Sequence, residues 1–270
     1  MPDSIDSSLA NFPSNNIMTI GTVASYTMSV ARHYRDWGIK STPWFRGEPD
    51  GVPLPLHPKL YRPSSDGSQY NENLIIQDFR RMAPAVGQGQ TPARSETDQW
   101  LFLMQHTGAP TRLLDWSEGA LIGLYFALQF EDPVVWMLNP VGLNRLTVPD
   151  FPDMNVYPLT WFRLEGSINI GSANVAAAWE QDRGGTELPV AIKPTYIHPR
   201  MTAQKSCFTI WGSNKRPLHE IVPPELLRMY RVRRNAIGRV SRELRVMGIT
   251  RSSLFPELDG LAGELGERTS

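Results

Sequence analysis

A chain of 270 residues with 41% hydrophobic and 20% charged side chains has the makeup of an ordinary globular protein and can bury a substantial core. Lys and Arg match Asp and Glu at 27 each, so no global field advertises nucleic acid or a membrane surface, although a local basic groove stays open to a neutral chain. The sole cysteine, Cys207, excludes an internal disulfide framework, and the longest apolar run, 120–130, falls short of a bilayer span of roughly 20 residues, so a soluble cytoplasmic protein is expected.

Residues 1–18 read as a loosely docked leader and 19–270 as one domain. A first helix is expected over Val23 to Trp37, stopped by Gly38. Thr42 to Arg46 reads as a short strand, and the proline-rich stretch from Pro49 to Pro63 as an extended loop. Glu72 to Met82 has helical spacing, and Ala83 to Arg94, rich in Gly, Pro and Gln, reads as a loop. Ser95 with Asp98 suggests a capping box for a helix running to Gln105. Thr111 to Leu114 suits a short strand, and Ser117 a cap for a helix through Gln129, on which Gly119 and Gly123 would admit a neighbouring backbone. Pro133 to Leu138 reads as a buried strand, while 139–187 is irregular. Strands are expected at Pro189 to Lys193, Phe208 to Trp211 and Arg228 to Arg231. A helix ending at Gly248 and a capped segment from Ser253 to Leu265 close the chain. Helices interrupt short strands without a βαβ rhythm, which predicts an α+β fold.

Chemistry concentrates in two places. Gln105 to Ser117 packs His106, Arg112 and Asp115 beside the apolar Leu113, Leu114 and Trp116, the pattern of a pocket wall. Upstream, Arg46 follows Trp44 and Phe45 and precedes Gly47. Arg46 has the planar fork that clamps oxyanions, or it pairs with Glu48 at the rim of a sheet. Gly47 allows close approach of a ligand, or simply makes a turn. His106 suits proton transfer near neutral pH, or caps a helix end. Asp115 could stabilise developing positive charge, cap the following helix, or pair with Arg112. On that helix Tyr125 is a candidate to stack on a ligand and Phe126 a candidate for the core. Ser206 or Cys207 with His106 and Asp115 would make a nucleophile set, but no nucleophile-elbow pattern accompanies them. The basic cluster Arg231, Arg233 and Arg234, with Arg228 and Arg239, is a solvated face or a phosphate-contacting edge. No Cys/His pair has metal-ligand spacing, so no metal site is expected.

Taken together, Phe45-Arg46-Gly47, Leu54-Pro55-Leu56, Arg62, the run from Gln105 to Trp116, Ala120-Leu121, Leu124 to Ala127, Ala203-Gln204, and Ser253 to Leu261 resemble the FRG-domain family, across about residues 40 to 265. That family looks distantly similar to the ADP-ribosyltransferase fold. The resemblance implies a split pair of small sheets flanked by helices, with NAD as co-substrate in the cleft. It further implies Arg46, Gly47, Arg112 and Tyr125 as NAD-binding residues, and His106 and Asp115 as catalytic ones. Its setting implies a bacterial toxin or anti-phage role, with a nucleic-acid acceptor and a neutralising antitoxin as partners. One departure stands out. Many transferases of this fold carry a late-strand glutamate, and the corresponding stretch here, Gln204 to Phe208, holds no acid, which makes Asp115 the candidate replacement. The rival expectation is a non-catalytic module that keeps the cleft and binds a nucleotide or a partner.

Overall fold

The computed structural model describes residues 12–87, 91–148, 159–160 and 185–269. Its strands are β1 (Ile17–Ile20), β2 (Trp44–Pro49), β3 (Leu113–Ser117), β4 (Pro133–Leu138), β5 (Leu159–Thr160), β6 (Val190–Lys193), β7 (Ser206–Ile210) and β8 (Leu227–Val232). They form one sheet in the order β1-β8-β4-β2-β3-β7-β6-β5. The β1–β8 and β5–β6 pairs are parallel and the rest antiparallel.

The α+β class matches the sequence; the expected pair of separate sheets does not. What splits is the middle of a single sheet. β2 and β4 pair along their whole length, from Trp44↔Leu138 to Pro49↔Pro133, whereas β2 and β3 meet only at Phe45↔Ser117. Beyond that point the two strands diverge, and the sheet has a seam.

Local chemistry explains most helix ends. Helix α1 (Val23–Trp37) opens on a capping box between Thr22 and Ser25 and stops at Gly38, whose φ of 59° is left-handed. Helix α2 (Glu72–Val86) is capped by Asn71 and outruns its expected end, with Pro84 inside its last turn. Helix α3 (Thr97–His106) starts at Glu96 without a side-chain cap, so Ser95 does not play the role its spacing suggested. Ser117 closes β3 instead of capping a helix, and α4 (Ala120–Ala127) begins after Gly119. Helix α5 (Pro140–Thr147), capped by Asn139, lies in the stretch read as irregular; most of that stretch is outside the described residues. The remaining helices are α6 (Pro199–Ala203), α7 (Leu218–Ile221), α8 (Ile237–Val246), α9 (Arg251–Leu254) and α10 (Leu258–Thr269).

The leader reading fails from residue 12 onward. Phe12 is buried with its ring edge-on to Trp136, 5.2 Å between centroids, and β1 pairs with β8. Residues 1–11 lie outside the described residues.

Directly opposed residues of paired strands share a face. On one face Trp44, Leu114, Trp116, Trp136 and Cys207 form a core closed by Leu56, Leu143 and Leu218. The other face is covered in two blocks. Helices α1, α4 and α8 pack on Phe45, Val135, Met137 and Tyr230, while α3 and α6 contribute Leu101, Phe102 and Met201 to a cluster with Leu113 and Phe208. The two blocks stand on either side of the seam, and the space between them is the groove described below.

Helix α4 reaches its strand through glycines. A Cβ on Gly47 would lie 2.2 Å from Ala127 N and 2.7 Å from Gly123 O, and one on Gly123 would lie 2.6 Å from the Phe45 Cβ. Both collisions at Gly47 are with backbone, so nothing flexible can yield. Gly47→Ala is therefore expected to push α4 off β2 and destabilise the protein by about 1–3 kcal/mol, read as a lowered chemical-denaturation midpoint at unchanged slope. Among the described residues no helix is long and apolar enough to cross a membrane.

Candidate active site

The groove consists of two chambers with a common wall. The inner one, about 160 Å³, is lined by Phe102, Gln105 and His106 of α3, Arg200 and Met201 of α6, Phe208 of β7, and Phe255. The outer one, about 280 Å³, is lined by Phe45, Arg46 and Gly47 of β2, Trp116 and Ser117 of β3, and Gln129 and Phe130 beyond α4. Asp115, Phe126, Gln204 and Ser206 line both. Asp115 is the only carboxylate among the described residues that lines either chamber.

Strand register puts Asp115 there. Asp115 stands opposite Phe208 and Ser117 opposite Ser206, so all four share the helix-covered face. Arg112 O accepts from Trp211 N and Glu118 N donates to Lys205 O, so even-numbered residues of β3 carry the ladder to β7. The backbone of Asp115 therefore turns toward β2, across the seam. Arg46 Nη1 donates to Asp115 O at 2.9 Å, supplying the partner that a β2 amide would supply in an unbroken ladder.

That arginine is held from behind. Its Nε donates to Glu48 Oε1 at 2.8 Å, and buried Glu48 also accepts from Arg62 Nη2 at 3.3 Å and Leu56 N at 3.0 Å. Desolvation holds the Arg62 guanidinium below its ordinary pKa, with Glu48 opposing. Arg46 Nη2 makes no hydrogen bond among the described residues, and Arg46 lines the outer chamber.

The Asp115 carboxylate is 59% exposed and sits 4.0 Å (Oδ2) from Arg46 Nη1. Oδ2 accepts from Gln105 Nε2 at 2.6 Å, and Gln105 Oε1 in turn accepts from the Thr111 hydroxyl, which fixes the amide orientation. Desolvation by the protein crowding this concave floor raises the Asp115 pKa above the usual carboxylate range; Arg46 and Gln105 pull the other way.

At the far end of the inner chamber His106 lies against His198, ring centroids 4.2 Å apart. Burial lowers the His106 pKa below 6.5, and His198 and Arg200 lower it further against Glu257. Arg200 Nε donates to Glu257 Oε1 at 3.1 Å, and its guanidinium lies 5.0 Å from the Phe255 ring. The outcome is an imidazole kept neutral at neutral pH, beside a cation tied to its own acid.

The structure brings Arg46, Gly47, His106 and Asp115 to one groove and sends two expected residues elsewhere. Arg112 is 1% exposed and makes a two-pronged ion pair with Glu72, its Nε 2.8 Å from Oε1, so it anchors α2 and neither lines a chamber nor pairs with Asp115. Tyr125 packs with the α1–α4–α8 cluster, and its neighbour Phe126 faces the groove, the reverse of the expectation for this pair. Gly47 reaches the outer chamber, but α4 alone already demands a glycine there. Cys207 is buried on the opposite face, and burial pushes its thiol well above the ordinary range, which removes it as a nucleophile. Ser206 lines the groove without a hydrogen bond to His106. Within the basic cluster Arg231 pairs with Asp50, Arg234 pairs with Asp132 at the surface, and Arg228 lies on nearby carbonyls and over Trp37.

Phe126, Gln105, Gln204 and Phe255 complete the site. Gln105 and Gln204 stand inside the motifs singled out above, but as neutral amides they carried no titration signal; Phe255 offered none beyond its place in the final segment.

A family model described as the FRG domain matches residues 41–134. The match takes in Arg46, Gly47, His106, Arg112, Asp115 and Tyr125, and ends before α6, β7 and Phe255. No curated protein and no solved structure matches the chain.

Proposed function

The chain carries a domain of the FRG family across residues 41–134, and on that premise we propose that it is an NAD-dependent ADP-ribosyltransferase. The observation that carries this reading is the position of Asp115, the one carboxylate on the wall common to both chambers, with an arginine beside it. Departure of nicotinamide leaves positive charge on the ribose, and a carboxylate fixed beside that centre stabilises it where charge develops. The usual late-strand acid is replaced by one on the adjacent strand, since Asp115 pairs with Phe208 of β7 and faces the same groove. Arg46 holds the pyrophosphate through its open Nη2, while Glu48 keeps the guanidinium pointed. Neutral His106 receives the proton that the acceptor loses. A toxin or anti-phage role, and a neutralising partner, belong to the same proposal.

One observation favours a second reading, a binding module without turnover. Two of the three Arg46 nitrogens are already engaged by the protein, which is enough to explain the residue as the bolt of the seam.

Incubation with labelled NAD, DNA, RNA and lysate separates these. The transferase reading expects label in one polymer class, reduced about 100-fold or more by Arg46→Ala, the loss typical of removing one charge-assisted anchor. Thermal stabilisation by NAD without label, abolished by the same change, supports the module. Neither label nor stabilisation removes NAD from both.

A further inference from the structure

Resting on the transfer reading, we infer that the inner chamber is the acceptor subsite and that it takes one pyrimidine base of a single-stranded nucleic acid. Size is the first argument. The chamber measures about 160 Å³, and a cavity of about 150 Å³ holds a benzene ring. One six-membered ring fills it; a fused purine would have to extend beyond it.

Wall chemistry is the second argument. Phe102 and Phe208 lie nearly parallel, 5.5 Å between centroids and 18° between planes, and Phe126 meets Phe255 edge-on at 6.1 Å. All four rings line the chamber; Phe102 and Phe208 stack on each other, and the half-buried Phe126 and Phe255 offer an unstacked base ring surface on which to stack. The polar edge is small and specific. Gln204 Nε2 is committed to Leu254 O at 3.1 Å, which leaves Oε1 to accept. The Ser206 hydroxyl makes no hydrogen bond among the described residues and can donate. A ring carbonyl of a pyrimidine such as thymine or uracil accepts from Ser206, which leaves the neighbouring N–H for the bond-forming step.

Proton accounting identifies the occupant as acceptor rather than leaving group. The bond from the ribose C1′ to nicotinamide breaks, and its electron pair stays on the nicotinamide ring nitrogen, which takes up no proton. The pyrimidine nitrogen forms the new bond to C1′ and must release a proton. His106 lines the inner chamber alone and receives it, passing it to solvent; Arg46 lines the outer chamber alone. A base inside a duplex cannot enter such a chamber, so the substrate is single-stranded or extruded.

The test is equilibrium binding, without NAD, of oligothymidylate and oligoadenylate of equal length, followed by labelling with NAD. Expected is a preference for oligothymidylate of about tenfold or more, the effect of one base–aromatic stack, lost in Phe255→Ala. Ser206→Ala, which leaves the strand backbone untouched, should lower the preference while the protein melts as wild type. Equal binding of the two oligomers, or a preference indifferent to both substitutions, overturns the inference. So does free nicotinamide displacing oligothymidylate competitively. Pyrimidine preference with no NAD consumption keeps the subsite and sinks the transferase reading. NAD consumption with label absent from pyrimidines does the opposite.

Discussion

On the proposed transferase reading, Asp115→Asn is expected to lower ADP-ribosyl transfer by about 100- to 1,000-fold, the loss seen when one preorganised charge or donor is taken from a transition state. The fold should not notice. The side chain is 59% exposed, its nearest cation is 4.0 Å away, and an exposed pair at that range contributes little to stability. Asparagine also keeps an oxygen able to accept from Gln105 Nε2, so the Gln105–Thr111 link survives. Steady-state rates beside melting curves make the check: a full-strength rate at native stability would remove Asp115 from the chemistry. The pH profile of the wild type supplies an independent reading. Asp115 must be ionised and His106 neutral, so both groups place their loss on the acid side. Desolvation raises the Asp115 pKa, and burial followed by His198 and Arg200 lowers that of His106, opposed by Glu257. Activity should therefore climb with pH, with the His106 limb displaced to the acid side of an ordinary histidine and the Asp115 limb to the alkaline side of an ordinary carboxylate. For stability the His106 sign is the same, while the raised Asp115 acts in the opposite sense. The unfolded chain protonates His106 more readily, so its contribution is complete above the unfolded pKa and is lost as pH falls below it.

Much of the frame was legible because local chemistry dictates it. Gly38 ends α1 where only glycine is comfortable, and the unbroken apolar run from Pro133 to Leu138 can only be a buried strand. Strand β1 was hidden for the converse reason. Four residues at the sheet edge, joined in parallel to a strand more than two hundred positions away, leave no alternation to read. The motif from Gln105 to Ser117 pointed to a wall of the groove, yet it could not show which members face it. Arg112, just before β3, and Asp115 within it point to opposite faces, and which face is open depends on the seam between β2 and β3. That seam is a register effect, invisible in composition. Tyr125 and Phe126 were exchanged because α4 is apolar on every side, and such a helix gives no phase from which to tell core from groove.

Arg112→Ala should strongly destabilise the fold, by about 3–5 kcal/mol, a fall in melting temperature on the order of 10 °C for a chain of this size. Arg112 is 1% exposed, and its fork grips both oxygens of Glu72, the first residue of α2. Its Nη1 also reaches Trp211 O at 3.4 Å, next to the end of β7. One side chain thus ties a helix start to the entry of β3 and the exit of β7. Truncation leaves the Glu72 carboxylate, only 17% exposed, without its counter-charge and opens a void beneath it. Lysine should restore little, because a point charge cannot hold both carboxylate oxygens at once. Replacing both partners, Arg112→Met with Glu72→Gln, should recover part of the loss, since an uncharged pair carries no desolvation debt. NAD binding discriminates this structural role from the cofactor contact that the motif suggested. A folded double variant that still binds NAD places Arg112 in the architecture. One that melts normally but has lost NAD returns it to the ligand site, and the seam would then need a second route for ligand to reach it.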